Sequence, residues 1–300
     1  MRDGIIVAAP CKINLHLRVL GRRADGFHEL ESVFQALSLA DELKFESLKE
    51  SSVCDLRMEG QVPPERNIVF KAISAFRSHT GYDGGLRVTV TKHIPMGAGL
   101  GGGSSDAAAT LRALDMLAGT ALDQSALFTL AAGLGSDVPF FLKGGTAIVS
   151  GRGEIVRPVA CFRNYAVVLV NPGFPSDTGR AFRLLDEARS SGSDAEREIL
   201  GEAVLERALA GDPDDWPFVN DFLPVLTKAS GMETEAYTAM LADLRSCGAE
   251  FVSLSGSGST CFGVFLSHST AEKAASSLSR AWKVVQIALP LARNGFAVLE

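Results

Sequence analysis

The sequence predicts an α+β protein built as two domains, and three observations carry that expectation. At 300 residues the chain exceeds what one compact core usually fills, by the guide of about 100–200 residues per domain. Segments with the period of strands and segments with the period of helices occur in both halves. Each half also carries a glycine-rich turn next to a strand. The boundary is expected near residues 155–160, ahead of the apolar stretch "YAVVLVNPG", which gives domains of residues 1–157 and 158–300.

In order along the chain, "KINLHLRVL" alternates strictly. Ile13, Leu15, Leu17 and Val19 share one side, and Lys12, Asn14, His16 and Arg18 the other, as in a half-buried strand. Asp25-Gly26 marks a turn, and "LESVFQALSLADELKFE" reads as the returning strand. "NIVFKAISAFRSHTG" reads as a helix capped by Asn67 and stopped near Gly81. "LRVTVTKHIP" is a strand that delivers the chain into "PMGAGLGGGSSDAAA", residues 95–109. Ala107, Leu111, Leu114 and Ala118 then recur at helical spacing, so an amphipathic helix is expected from about Ser105. A second helix should run from Asp123 to Gly133, after which "GSDVPFFLKGGTAIVSGRGE" returns to strand and turn.

The second half repeats the alternation. Thr178 to Ala188 reads as a helix with Ser176 or Asp177 to cap it, and "RSSGSDAERE" as a mobile polar insertion. "FVSLSGSGSTCFGVF" is a strand, a tight glycine turn and a strand. "STAEKAASSLSRAW" carries an S-x-x-E capping box and should be helical, ahead of a strand through "KVVQIAL".

Composition excludes several classes. No apolar run approaches the ~18 residues of a membrane span. The N-terminus lacks the charged, apolar and small-residue succession of a secretory signal, so a soluble cytoplasmic chain is expected. The net charge of −6 argues against a nucleic-acid binder with a broad basic face. An anionic ligand must then be held by backbone N–H groups, helix ends and a few placed cations. The five cysteines, Cys11, Cys54, Cys161, Cys247 and Cys261, are odd in number and scattered, and free thiols are expected.

Residues 95–105 hold five glycines and two serines. A G-x-G-x-x-G is present at Gly97, Gly99 and Gly102. The dinucleotide fold, however, wants an acidic residue about 20 positions later, ending a strand, and Asp123 lies between two helical stretches. No Walker sequence occurs. Glycines let successive N–H groups point one way and let oxygens approach without an intervening Cβ, and a helix start favours an anion. Ser104 and Ser105 could offer hydroxyls to phosphate or to Mg²⁺. The alternative, a turn shaped only for close packing, needs fewer glycines. Asp137, set among "GLGSDVPFFL", is either a proton acceptor for phosphoryl transfer or a helix cap before Pro139. Lys12, beside Asn14, is either functional or an ordinary sheet lysine.

Three stretches together resemble the small-molecule kinases that include galactokinase, homoserine kinase and mevalonate kinase, the GHMP superfamily. "PMGAGLGGGSSDAA" is similar to their phosphate loop and "LSGSGSTCFGVF" to their C-terminal glycine motif. "PCKINLHLRVLGRRADGFHELES", with "RNIVFKA", "GLGSDVPFFL" and "FVNDF" in order, is similar to the branch that acts on a CDP-linked methylerythritol in non-mevalonate isoprenoid synthesis. The likeness covers nearly the whole chain. It implies an N-terminal ribosomal-protein-S5-domain-2-like ATP domain, a C-terminal ferredoxin-like domain and an active site between them.

The resemblance also implies ATP and Mg²⁺ as cofactors and the substrate's 2-hydroxyl as phosphoryl acceptor. Asp137 would take the hydroxyl proton, with Lys12 beside it steadying charge. Pro95, Met96, Gly97, Ala98, Gly99, Leu100, Gly101, Gly102, Gly103, Ser104 and Ser105 would wrap the ATP phosphates, with Asn67 and Lys92 near the adenine end. His28 would hydrogen-bond the cytosine edge, with Asn14 nearby. Phe27 and Phe182 would sandwich the ring, and Thr178 lies one helical turn before Phe182. The metal ligands stay open. The family usually has tyrosine where this chain has Phe27; stacking needs only the ring. His16 and His93 are read as structural. A small-molecule substrate, no nucleic acid, no membrane, and a monomer or weak homodimer complete the expectation. Another kinase of the superfamily would have no use for "ADGFH", and a regulator that had lost catalysis should have lost Asp137 or Lys12.

Overall fold

Strand β1 (Gly4–Arg22) folds back on β2 (His28–Leu48) through the Asp25-Gly26 turn, where Gly26 takes φ +86°. This computed structural model describes residues 4–50, 52–58, 66–160, 164–191, 199–229 and 231–292. The hairpin pairs antiparallel from Gly4 opposite Glu46 to Arg22 opposite His28, with register shifts after Pro10, Asn14 and Val19. Such irregularities re-aim side chains locally. The expected half-burial is not what forms: Cys11 to Val19 are buried throughout. The second half of the chain covers the strand's outer edge, where Leu17 N–H donates to Val219 O (2.8 Å) and Asp221 N–H to Leu17 O (2.9 Å). Ile13 and Leu15 enter a core shared with Val167, Leu169 and Phe262 from the second half.

β3 (Cys54–Met58), β4 (Gly85–Thr91), β5 (Thr146–Gly151) and β6 (Ile155–Val159) complete the first sheet. Its order is β3-β4-β2-β5-β6, with β1 along β2. Helix α1 (Ile68–Thr80) begins at Asn67, whose Oδ1 accepts from Val69 N–H at 2.9 Å, and ends at Gly81, as expected. Helix α2 (Gly102–Ala118) starts three residues earlier than its apolar period suggests, so the last loop glycines already form its first turn. Both helices press apolar faces onto the sheet, with Val69, Phe76, Leu111 and Leu114 meeting Phe45 and Val88. α3 (Gln124–Leu134) is capped by Asp123.

Val138–Lys143, expected as strand and turn, is a short helix, α4. Pro139 sits in its first turn, where no N–H is needed, and Val138, Phe140, Phe141 and Leu142 are all buried. A segment buried on every side shows no period, so its sequence cannot distinguish helix from strand.

In the second half, β7 (Ala166–Asn171), β8 (Phe251–Leu254), β9 (Cys261–Phe265) and β10 (Val284–Ala288) form an antiparallel sheet in the order β10-β7-β9-β8. Helices α5 (Thr178–Ser190), α6 (Glu202–Ala210), α7 (Phe222–Lys228), α8 (Met232–Ser246) and α9 (His268–Leu278) accompany it. Asp177 caps α5, its Oδ1 accepting from Arg180 N–H at 2.9 Å. The cap of α9 is Ser267, which accepts from Thr270 N–H at 3.3 Å; Ser269 of the expected S-x-x-E box already lies inside the helix. β6 pairs with β5 through Val159, so the first sheet runs two residues past the expected boundary at 157.

Most of the polar insertion, residues 192–198, and Cys161 lie outside the described residues. Cys11, Cys54, Cys247 and Cys261 are free thiols. Among the described residues, no helix is long and apolar enough to cross a membrane.

Candidate active site

The two glycine motifs meet in space. Gly97, Gly99 and Gly101 take φ of +65°, +77° and +70°, alternating with the buried Ala98 and Leu100. Alternation of this kind gathers successive N–H groups into an anion-binding concavity. The turn between β8 and β9 is bonded onto the loop. Ser255 Oγ donates to Gly99 O (2.9 Å) and Thr260 N–H to Ala98 O (3.2 Å). Ser176 N–H, ahead of α5, donates to Gly97 O (2.7 Å). A Cβ on Gly99 would lie 2.1 Å from Ser255 O, so both its backbone conformation and its surroundings require glycine. Asn220 braces the same turn, donating to Leu254 O (2.7 Å) and Gly256 O (2.8 Å).

The N-cap of α2 is Gly101, and no side chain caps the helix. The N–H groups of Gly102, Gly103 and Ser104 precede the first intrahelical bond, Ser105 N–H to Gly101 O, and stay available to a ligand. They face a cavity of about 420 Å³ lined by every residue from Pro95 to Ser104, with Asn67, Lys92 and Asp106. Ser105 does not line it: the helical period turns this residue inward, fully buried. Asn67 serves both as cap of α1 and as cavity wall, its Nδ2 facing Met58 Sδ at 3.8 Å.

Lys92 is not a free cation at this wall. Its Nζ bonds Asp41 and, at 2.7 Å, Asp106 Oδ2. Asp41 Oδ1 accepts from the N–H groups of His93 (2.6 Å) and Ile94 (2.8 Å), so the cluster pins the end of β4 to the start of α2. Burial works against the Lys92 charge, yet the two carboxylates outweigh it and raise its pKa above the ordinary lysine value. Burial pushes Asp106 up to about 7 against the pull of Lys92, and the Asp41 charge adds to the rise. Asp106 Oδ1 is buried without a hydrogen-bond partner among the described residues.

A second cleft of about 220 Å³ shares Gly99 and Gly101 with the first, so the loop is their common wall. Lys12, Asn14, Phe34, Asp137, Thr178 and Phe182 line it. Lys12 is 3% exposed, and its ammonium donates to Asn14 Oδ1 (2.6 Å), lies 3.4 Å from Asp137 Oδ2 and sits 4.5 Å above the Phe34 ring. A buried ammonium needs such compensation. Asn14 is oriented by Ser32, whose Oγ accepts from Nδ2 at 3.2 Å. Asp137 occupies the N-cap position of α4 but makes no capping hydrogen bond, with φ −83° and ψ −13°. Its carboxylate faces Lys12 instead.

Beyond the lysine, His28 Nε2 is 3.2 Å from Asp186 Oδ1, and its ring stacks on Phe182 (4.5 Å, 18°). Phe222 meets Phe182 edge-on at 4.9 Å. Thr178 Oγ1 is 2.8 Å from Ser257 Oγ, which joins α5 to the second glycine turn. Phe27 stands more exposed, with the Arg152 guanidinium 4.9 Å above its ring. The structure thus groups Lys12, Asn14, Asp137, Thr178 and Phe182 around one cleft, with His28 on Phe182. His16, expected as structural, is fully buried; its Nδ1 accepts from Val219 N–H at 3.2 Å and its Nε2 faces Glu31 at 3.4 Å.

Sequence reasoning missed Asp41, Asp186, Ser255 and Ser257, and assigned no role to Asn220 or Asp106. Asp106 had a signal, following the serine pair at the helix start. Asp186 had one too, one turn after Phe182.

The comparisons with known proteins make the chain a small-molecule kinase. The chain matches the GHMP kinases N terminal domain over residues 67–145 and the GHMP kinases C terminal domain over residues 206–284. A 4-diphosphocytidyl-2-C-methyl-D-erythritol kinase of Treponema pallidum is 38% identical over 285 residues, covering 93% of this chain and 96% of its own length. That of Thermodesulfovibrio yellowstonii is 38% identical over 277 residues, with coverage of 92% and 95%. A solved 4-(cytidine 5'-diphospho)-2C-methyl-D-erythritol kinase superposes with a TM-score of 0.80 at 35% identity, over 95% of this chain and 99% of that one. A homoserine kinase from Cytophaga hutchinsonii shares the fold at 18% identity, with a TM-score of 0.74. The chain belongs to the 4-diphosphocytidyl-2-C-methyl-D-erythritol kinase family of GHMP kinases.

Proposed function

We propose that this kinase transfers the γ-phosphoryl group of ATP to the 2-hydroxyl of 4-diphosphocytidyl-2-C-methyl-D-erythritol, with Asp137 as general base and Lys12 as its electrostatic partner. The observation that carries this reading is the shared wall: one glycine loop lines a cavity with open helix amides on one side and the Asp137–Lys12 pair on the other. Donor and acceptor would meet across Gly99 and Gly101.

The triphosphate lies against the N–H groups of residues 97–104, whose partial positive charge replaces its hydration. Asn67 and Met96 border the same cavity and would take the adenosine. Asp137, exposed enough to meet a substrate, accepts the proton of the acceptor hydroxyl as its oxygen bonds the γ-phosphorus and the bond to the β-phosphate oxygen breaks, releasing ADP. Lys12 cannot leave: it is held by Asn14 Oδ1, Asp137 and the Phe34 face, so its charge lies where negative charge develops on the phosphoryl group. Asp106, a lining residue with one carboxylate oxygen buried and unpartnered among the described residues, and the Ser104 hydroxyl are the side chains that would hold a Mg²⁺ ion. Bound there with ATP, the ion would offset charge on the β- and γ-phosphates. Thr178, His28, Phe182 and Phe27 take the cytidine end, and the domain boundary falls in the connection between β6 and β7.

The deciding variant is Asp137→Asn. Turnover should drop by roughly 10²–10⁴-fold, the usual reach of general-base catalysis, while ATP affinity holds. A coupled ADP-release assay and a nucleotide titration measure both. Near wild-type turnover would falsify the assignment.

A further inference from the structure

Beside the proposed base end of the cleft stands a carboxylate, Asp186, that takes no part in phosphoryl transfer. Thr178, Phe182 and Asp186 recur every four residues on α5 and share one face of it. Thr178 and Phe182 line the cleft, and Asp186 reaches His28, at the start of β2. A carboxylate only accepts hydrogen bonds, so at 3.2 Å from Asp186 Oδ1 the His28 Nε2 carries the hydrogen. Among the described residues no group bonds Nδ1. In the neutral ring this nitrogen is a bare acceptor.

The imidazole also lies nearly parallel to Phe182, at 18°. A base stacked on the remaining part of the Phe182 ring would share the imidazole plane, which an in-plane hydrogen bond between the two edges requires. Cytosine presents an N4 amino donor, and uracil the O4 acceptor in its place. A bare Nδ1 pairs with the first and opposes the second lone pair to lone pair.

Resting on the cytidine reading above, we propose that Asp186 is a positioning residue for base specificity: by accepting from His28 Nε2 it presents Nδ1 as an acceptor and so selects an amino-pyrimidine over an oxo-pyrimidine. Without it the imidazole can change tautomer and accommodate uracil. The His28 side chain is 11% exposed and that of Asp186 46%, so solvent moderates the restraint and the effect is partial.

The test compares kcat/KM for the cytidine- and uridine-diphospho forms of the acceptor in four enzymes: wild type, His28→Ala, Asp186→Ala and Asp186→Asn. Asp186→Ala should lower the cytidine-to-uridine ratio about tenfold, one charge-assisted hydrogen bond's worth, mainly through the KM of the cytidine form. Asp186→Asn, whose Oδ1 still accepts, should restore most of the ratio. ¹⁵N NMR of the wild-type imidazole should show the hydrogen on Nε2, whatever the variants' stability. A ratio unchanged in Asp186→Ala but lowered in His28→Ala overturns the role of Asp186 alone, as does an Nδ1–H tautomer. A ratio unchanged in His28→Ala, or absent in the wild type, overturns the cytidine pocket itself.

Discussion

The two cavities are made of different materials. The larger is built mainly from backbone: one contiguous run, residues 95–104, supplies a continuous wall and the helix amides at its end. The smaller, apart from the shared glycines, is built mainly from side chains that come from β1, β2, the start of α4, α5, the start of α7 and the β8–β9 turn. A wall of amides depends on conformation, so it tolerates few substitutions at its left-handed glycines. A wall of side chains depends on chemistry, and each member can be changed while the scaffold stands.

That contrast can be broken most forcefully at Gly99. Gly99→Ala forces an L-residue to φ +77° and drives a Cβ to 2.1 Å from Ser255 O. The backbone term alone costs roughly 1–2 kcal/mol, and the clash adds to it. Both melting temperature and affinity for a fluorescent ATP analogue should fall. Gly103→Ala is the matched control: the nearest atom to its Cβ is Ile68 Cγ2 at 3.6 Å, and its φ is not positive, so the melting temperature should hold or rise. An equal fall in melting temperature in both variants would mean that the positive φ and the clash at Gly99 carry no special cost.

A subtler difference lies in charge. The cluster of Asp41, Lys92 and Asp106 buries two carboxylates for one ammonium. Burial raises the Asp106 pKa from 3.8 to about 7, so between those values the folded state binds more protons than the unfolded one. Stability from this group is therefore complete below about pH 4 and is lost as pH rises toward 7. Asp106→Asn should remove that downward slope in urea unfolding of the ligand-free enzyme. An unchanged slope would place the proton elsewhere in the cluster.

The smallest effect is expected at the proposed base end. Phe27→Tyr keeps the ring over which Arg152 lies and adds only a hydroxyl at an exposed position, so kcat/KM should stay within a few-fold. Loss of most activity would show that the base pocket depends on more than the ring face.

Legibility followed the same division. The helix cap at Asn67, the stop at Gly81 and the glycine loop that opens a helix could be read because each depends on neighbours within a few residues. Helix α4 could not, because four apolar residues buried on all sides carry no period. The burial of His16 and Arg18 on β1 could not be read, because their partners Val219 and Asp221 lie two hundred positions away. Lys12 and Asp137 were visible as residue types with two readings each. Their approach to 3.4 Å, with the cap hydrogen bond unmade, is what favours the proposed functional reading over the structural one.

From the linear order of residues alone come the α+β class, the glycine loop that ends in a helix, and the family. These are properties of local backbone geometry, which short stretches encode. The pairing of Lys12 with Asp137, the bracing of Gly99 by Ser255, the burial of Lys92 between two acids and the contact of His28 with Asp186 were decided by the tertiary structure. They join residues far apart in the chain, and a hydrogen bond or a Coulomb interaction depends on separation in space, which a one-dimensional string does not contain.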